Sequence, residues 1–370
     1  MAEGTTPLRV LTGLDLPWGS AGGSVELVHD LYLGDGGPFE TKVFMLKPDG
    51  QPAPSTGQAR LHLLDGRGKC LSGLRFPRYV ASLRAQLSSM FTVADFDVLH
   101  LQHLAFGATP ALLTEWGDRP SLALVHGTDL IFATRVPAQR AVLQQALATV
   151  GAVVVPTMAM ADRLRDLAGG RRHRIEHIPW GIPDRLVDTG SPRTGFRPDG
   201  ILRVLYAGRL SAEKGFAHVR GAAAETPGTV LSVAAPRHEF DRLGAEPGLR
   251  YLGWLSRHEL QAEFGNHDLL VVPSTDIEAF GLVAVEAQAA GLPVAYQPVP
   301  GLREVLGDTA LPLDFIRDPQ WLRRLLGELR EDSSLLSRLS TTGRANAMRY
   351  RVSRASHALS ALTADLLNNR

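Results

Sequence analysis

Residues 271–304 read VVPSTDIEAFGLVAVEAQAAGLPVAYQPVPGLRE, and the order of elements in this stretch decides the fold class. A short apolar strand over residues 269–272 runs into Pro273 and Ser274. A loop carrying Asp276 and Glu278 follows, then Gly281 and a helix of small and apolar residues over 282–290. Gly291 and Pro293 stop that helix, and a second buried strand occupies 294–296. Strand, loop, helix and strand in this order form one unit of a parallel sheet. The loop enters a helix start, where the first backbone N–H groups lack intrahelical partners and favour an anion. Glu278 stands before that start and Glu286 about one turn inside it. A carboxylate accepts paired hydrogen bonds and suits vicinal hydroxyls. An anion beside a polyol is the chemistry of a nucleotide sugar.

Upstream of this stretch the same alternation begins at residue 201. A strand is expected over 201–207, followed by Gly208-Arg209-Leu210-Ser211-Ala212-Glu213-Lys214-Gly215 and a helix. Ser211 is the expected N-cap. Lys214 then falls in a first helical turn, where a cation opposes the macrodipole unless an anion sits there. Strands over 230–235 and 249–253 come next, and Trp254 and Leu255 close the second of them.

The first half has the same rhythm. A strand over 9–14 leads into DLPWGSAGG, residues 15–23, with Trp18, Gly22 and Gly23, and a helix capped by Ser24. Two adjacent glycines let a ligand approach the backbone. Further strands are expected over 41–46, 97–101, 121–125 and 151–156, with helices over 79–90 and 158–167. Residues 47–59 are a polar loop rich in Pro and Gly. His100 and His103 lack carboxylate or cysteine companions at metal-ligand spacing, so a strand end at the ligand crevice is expected instead. The strand over 121–125 ends in His126-Gly127-Thr128-Asp129. The carboxyl ends of parallel strands face the ligand. Residues 182–200, rich in Pro, Gly and Asp, read as the interdomain linker. Three helices are expected in residues 318–370.

A chain of 370 residues is long enough for two domains with separate cores. Lys and Arg number 39 against 38 Asp and Glu, which argues against nucleic-acid and anionic-membrane partners. A single cysteine, Cys70, permits no internal disulfide and points to the reducing cytoplasm. There is no signal-peptide pattern and no apolar run long enough to span a bilayer, so no integral membrane segment is expected.

The frame PS…EAFGLVAVEA…AGLPV, with Glu278 and Glu286 separated by seven residues, resembles the E-x7-E signature of retaining GT-B glycosyltransferases of family 4. GRLSAEKG is similar to the diphosphate site of that family, and HGTD to its strand-end histidine. The resemblance implies an α/β fold of GT-B type, two doubly wound Rossmann-like domains with a cleft between them. The domains would be 1–184 on the acceptor side and 185–350 on the nucleotide-sugar side, with 351–370 a helix returning to the first. It implies transfer of a sugar from a UDP- or GDP-linked donor to an acceptor hydroxyl, with retention. The short region 51–78 and the lack of a basic amphipathic helix point to a small-molecule acceptor, and with no metal-binding cluster and with Arg209 and Lys214 as substitutes no metal or other cofactor is expected. The resemblance assigns catalysis to His126, Arg209, Lys214 and Glu278. It assigns donor contacts to Gly22, Gly23, Trp254, Leu255, Ala279, Phe280, Gly281, Leu282 and Glu286 as well. Trp18, His103 and Asp129 are the acceptor-side candidates. Where the family has a second glycine-rich turn this chain has AAPRHE, residues 234–239. Two alternatives remain at this point: a nucleotide-sugar isomerase or epimerase on the same scaffold, and a non-catalytic nucleotide-sugar-binding protein.

Overall fold

The computed structural model describes residues 7–20, 22–34, 37–48, 60–68, 70, 73, 75–193, 199–244, 248–316, 318, 320–332 and 334–369. Most of the expected polar loop at 47–59 and residues 194–198 of the expected linker lie outside them. The chain divides into two compact units. Unit 1 comprises residues 1–181 and 352–370, and unit 2 comprises 182–351.

Unit 1 holds seven strands: β1 (Leu8–Pro17), β2 (Phe39–Leu46), β3 (Leu61–Leu64), β4 (Val98–Gln102), β5 (Ser121–Leu124), β6 (Ala152–Val155) and β7 (Ile175–His177). They pair in parallel in the order β3-β2-β1-β4-β5-β6-β7. Unit 2 holds β8 (Leu202–Ala207), β9 (Thr229–Ala234), β10 (Leu249–Gly253), β11 (Leu269–Val272), β12 (Val294–Tyr296) and β13 (Leu311–Pro312). Their order is β10-β9-β8-β11-β12-β13, again all parallel. Both are doubly wound Rossmann-like sheets, as expected. Strands covered by helices on both faces read as continuous apolar runs. VVV of β6 and LLVV of β11 are such runs, and every residue in them is buried. In each sheet the strand order reverses beside the first strand, between β1 and β4 and between β8 and β11. Ligands bind at such reversals, outside the carboxyl ends of the strands.

Several local expectations change. β1 continues to Pro17 and so takes in the start of the glycine loop. The following helix is Gly23–Val28, with Gly22 at the N-cap, so Ser24 lies inside the helix and does not cap it. It passes directly into a π-helical turn, His29–Leu33, which buries Tyr32. The expected linker at 182–200 is not free chain at its start. It contains the helix Asp184–Thr189, whose Val187 is fully buried. Ile182 is buried too, and pairs in parallel with Arg351. Both points at which the chain enters and leaves unit 2 therefore lie side by side in that unit. The final helix, Val352–Asn368, belongs to unit 1, where Asp365 meets Arg174 at 2.7 Å.

Gly215 is required where it stands. Its φ is +67°, and a Cβ built on it would lie 2.0 Å from the Pro273 carbonyl oxygen. Gly215→Ala is expected to destabilise unit 2 by at least about 2 kcal/mol, from left-handed strain plus the clash. Urea unfolding checks this; a loss below about 0.5 kcal/mol would mean that the loop yields freely.

Candidate functional site

In unit 2 the loop after β8 and the loop after β11 are sewn together. The Tyr206 hydroxyl donates to the Arg209 carbonyl at 2.5 Å. The Leu210 amide donates to Glu239 at 2.5 Å, and the Thr275 amide donates to the Glu213 carbonyl at 2.9 Å. Residues Ala212–Lys214 form a 3-10 turn, and a separate helix, Phe216–Ala224, starts after Gly215. Lys214 thus precedes the helix rather than lying in its first turn, and the Ser211 side chain makes no cap hydrogen bond. The short turn aims Lys214 across to the neighbouring loop. Its Nζ donates to Glu278 Oε2 at 2.5 Å, and the same oxygen accepts from the Ser274 hydroxyl at 3.1 Å. Arg209 is exposed.

Gly281, at φ +80°, is the N-cap of the helix Leu282–Ala289. The left-handed turn there brings Glu278 up to the helix start. Ala279 and Phe280 point inward, and Phe280 meets Tyr350 edge-on at 5.2 Å. Glu286, in the helix, is 7% exposed and accepts from Arg257 Nε at 2.6 Å. Trp254 is 43% exposed at the end of β10, and Leu255 beside it is half-buried.

In unit 1, His126 stands at the end of β5 and its Nε2 lies 2.7 Å from Gln102 Oε1 at the end of β4. Its ring lies tilted against His103 at 4.4 Å and stacks on Trp180 at 6.0 Å. Burial pushes the His126 imidazole down to about 3, so the ring is neutral at ordinary pH. His103 is buried on Phe106 at 4.5 Å and has the one positive φ among the described non-glycine residues, 62°. Strained backbone of this kind clusters at functional sites. His100, by contrast, is a core residue, fully buried between Tyr32 and Thr363. Trp18 is half-buried 6.1 Å from the His29 ring, and Gly22 and Gly23 are exposed.

Asp129 is fully buried, and its Oδ2 accepts from the Leu104 amide at 3.1 Å. Desolvation nevertheless pushes its carboxyl up from the ordinary 3.8 to about 6. A carboxyl raised on folding contributes its full stability below the unfolded value and loses it as pH rises through the folded one. Unit 1 should lose on the order of 3 kcal/mol between pH 4 and pH 7 from this group. Asp129→Asn should match the wild type at pH 4 and exceed it by about 3 kcal/mol at pH 8. Parallel stability–pH curves for the two proteins would contradict this assignment.

Two family profiles match the chain: "Glycosyl transferases group 1" over residues 193–345 and "Glycosyltransferase Family 4" over residues 23–186. A D-inositol 3-phosphate glycosyltransferase of Xylanimonas cellulosilytica is 30% identical over 296 residues, covering 69% of this chain and 68% of that protein. The chain belongs to the group 1 glycosyltransferases of family 4. It spans 54% and 57% of two further D-inositol 3-phosphate glycosyltransferases, of Mycolicibacterium smegmatis and Catenulispora acidiphila. Sucrose-phosphate synthase of Thermosynechococcus elongatus superposes with TM-score 0.78 at 19% identity, over 98% of this chain and 100% of that one. Anabaena HepE, solved with UDP and glucose, superposes with TM-score 0.71 at 18% identity, over 97% and 100%. The fold is that of the GT-B glycosyltransferases.

The group 1 profile takes in Arg209, Lys214, Glu278 and Glu286, and the family 4 profile takes in His126 and Asp129. Three partners of this glycosyltransferase's candidate residues escape a reading of the sequence. Arg257 opens a helix capped by Ser256, where a lone arginine carries no signal. Gln102 ends a buried strand, and a polar residue among VLHLQ was the available hint. Glu239 lies in AAPRHE, the segment that departs from the family pattern, and there it holds the Leu210 amide. Among the described residues no group of three or more His, Cys, Asp or Glu side chains is placed to hold a metal ion.

Proposed function

We propose that the chain transfers a glycosyl group from a nucleotide diphosphate sugar to a hydroxyl of a small polar acceptor, with retention and without a metal. The observation that carries this is Lys214 Nζ at 2.5 Å from Glu278 beside the start of the helix Leu282–Ala289. Cation, carboxylate and helix start converge at one end of one sheet. In the step, the bond from the anomeric carbon to the leaving diphosphate breaks. The acceptor oxygen bonds to that carbon on the same face, and its proton passes to the leaving phosphate. Arg209, Lys214 and the helix start stabilise the growing diphosphate charge, which is electrostatic catalysis. Glu278 holds sugar hydroxyls, Glu286 holds the ribose, and His126 contacts the donor sugar. HepE was solved with UDP and glucose, which supports a UDP-linked donor here. The single cysteine supports a cytoplasmic setting.

A panel of UDP- and GDP-sugars with sugar and polyol acceptors, assayed after exhaustive chelation, tests this. Product with the donor's anomeric configuration, formed at an undiminished rate, is expected. Activity restored only by magnesium or manganese would overturn the metal-free step. Inverted product would overturn retention, and conversion of the donor alone into another nucleotide sugar would establish an isomerase.

A further inference from the structure

Behind His126 runs a chain of hydrogen bonds whose direction is fixed by its far end. The Thr363 hydroxyl donates to the Leu359 carbonyl at 2.7 Å, so its oxygen is an acceptor for the His100 Nε2 at 3.0 Å. A neutral His100 that donates from Nε2 accepts at Nδ1. Burial holds His100 neutral, pushing its imidazole down to about 3. The Tyr32 hydroxyl, 2.9 Å from His100 Nδ1, must then donate to it. The Thr12 hydroxyl donates to the His100 carbonyl at 2.7 Å. Both hydroxyl protons are committed, so both hydroxyl oxygens can only accept. The Gln102 amide nitrogen donates to Thr12 Oγ1 at 2.9 Å. The amide is thereby locked with its oxygen toward His126 Nε2, 2.7 Å away. That nitrogen must carry a hydrogen.

We propose that Gln102 is a positioning residue that fixes His126 in its Nε2–H form, so that Nδ1 offers a lone pair to a sugar hydroxyl. The bonds point away from His126, from its ring through Gln102 and Thr12 to the His100 carbonyl. Aligned hydrogen bonds polarise one another, which makes Nδ1 a stronger acceptor than an isolated imidazole. The residue is then neither a general acid nor a cation. It selects a donor sugar that presents an O–H at this place over one that presents hydrogen or a carboxylate there. A carboxylate would set one lone pair against another. This selectivity rests on the glycosyl-transfer reading; the tautomer does not.

Ring-15N-labelled protein gives the tautomer directly, with His126→Gln to assign the resonance. The His126 ring should show the Nε2–H pattern at pH 6–8 without titrating. A protonated Nδ1 or a charged ring would overturn the proposal. Gln102→Met removes the acceptor at similar volume and should release the ring to a mixture of tautomers. Retention of a pure Nε2–H signal in a folded Gln102→Met protein would also overturn it. Monodeoxy donors then read the consequence. In the wild type one deoxy position should cost on the order of tenfold in kcat/KM, and Gln102→Met should remove that preference. Equal losses for the parent and every deoxy donor would mean that Gln102 acts only on the fold. If the wild type turns over no nucleotide sugar at all, glycosyl transfer fails, while the labelled spectrum still decides the tautomer.

Discussion

Lys214→Ala is expected to lower turnover by on the order of a hundredfold while leaving the melting temperature nearly unchanged. The two halves of this result have separate causes. The ammonium and Glu278 are 28% and 20% exposed, and a partly exposed ion pair contributes about 1 kcal/mol at most. Removing it therefore costs little stability, and Glu278 keeps the Ser274 hydroxyl. Turnover depends instead on charge that grows as the bond to the leaving diphosphate breaks. An interaction stronger in the transition state than in the ground state lowers the rate when it is lost. Lys214→Arg should restore activity only in part, because a planar fork does not replace a compact ammonium on a turn of three residues. Calorimetric titration of nucleoside diphosphate and steady-state kinetics on the folded variants supply the check. Wild-type turnover in Lys214→Ala would remove the phosphate role and with it the reading of GRLSAEKG.

Arg257→Met is expected to behave in the opposite way, losing about 3 kcal/mol of stability in unit 2 together with nucleotide affinity. Arg257 and Glu286 are only 11% and 7% exposed, so their pairing at 2.6 Å is a buried one. Taking one partner away leaves a carboxylate in a poor solvent. Replacing both with apolar residues of similar volume, Arg257→Met with Glu286→Leu, should recover most of the lost stability. It should not recover nucleotide binding, because the carboxylate proposed to hold the ribose is then gone. Urea unfolding and nucleotide titration of both variants separate the two effects. If Arg257→Met stays within about 1 kcal/mol of the wild type, the pair is not the buried support described here.

The alternation of strand and helix was legible because buried parallel strands leave runs such as AVVV and LLVV, which few other structures require. Strands at the margins were not. LHLL of β3 lies in a region of weak pattern, and LP of β13 is two residues long at a sheet edge. The helix Asp184–Thr189 hid within a stretch whose Pro, Gly and Asp content reads as linker; it is held by one buried valine rather than by a periodic face. At the candidate site the signature residues could be named through their resemblance to a family pattern, which is local in the sequence. Their partners could not. Arg257 and Glu286 stand 29 positions apart, and Gln102 reaches Thr12 across 90. Pairings of that range are set by tertiary packing, and no local pattern records them.

Unit 2 interrupts unit 1 in the order of synthesis, and this has a consequence for the growing chain. Residues 182–351 are contiguous, so unit 2 can fold as soon as its own segment has left the ribosome. Unit 1 begins first but needs residues 352–370, which emerge afterwards. Thr363, the partner that orients His100, arrives with them. The first half of the nascent protein must therefore wait, with its seventh strand made and its closing helix absent, until the whole of the second half has been synthesised.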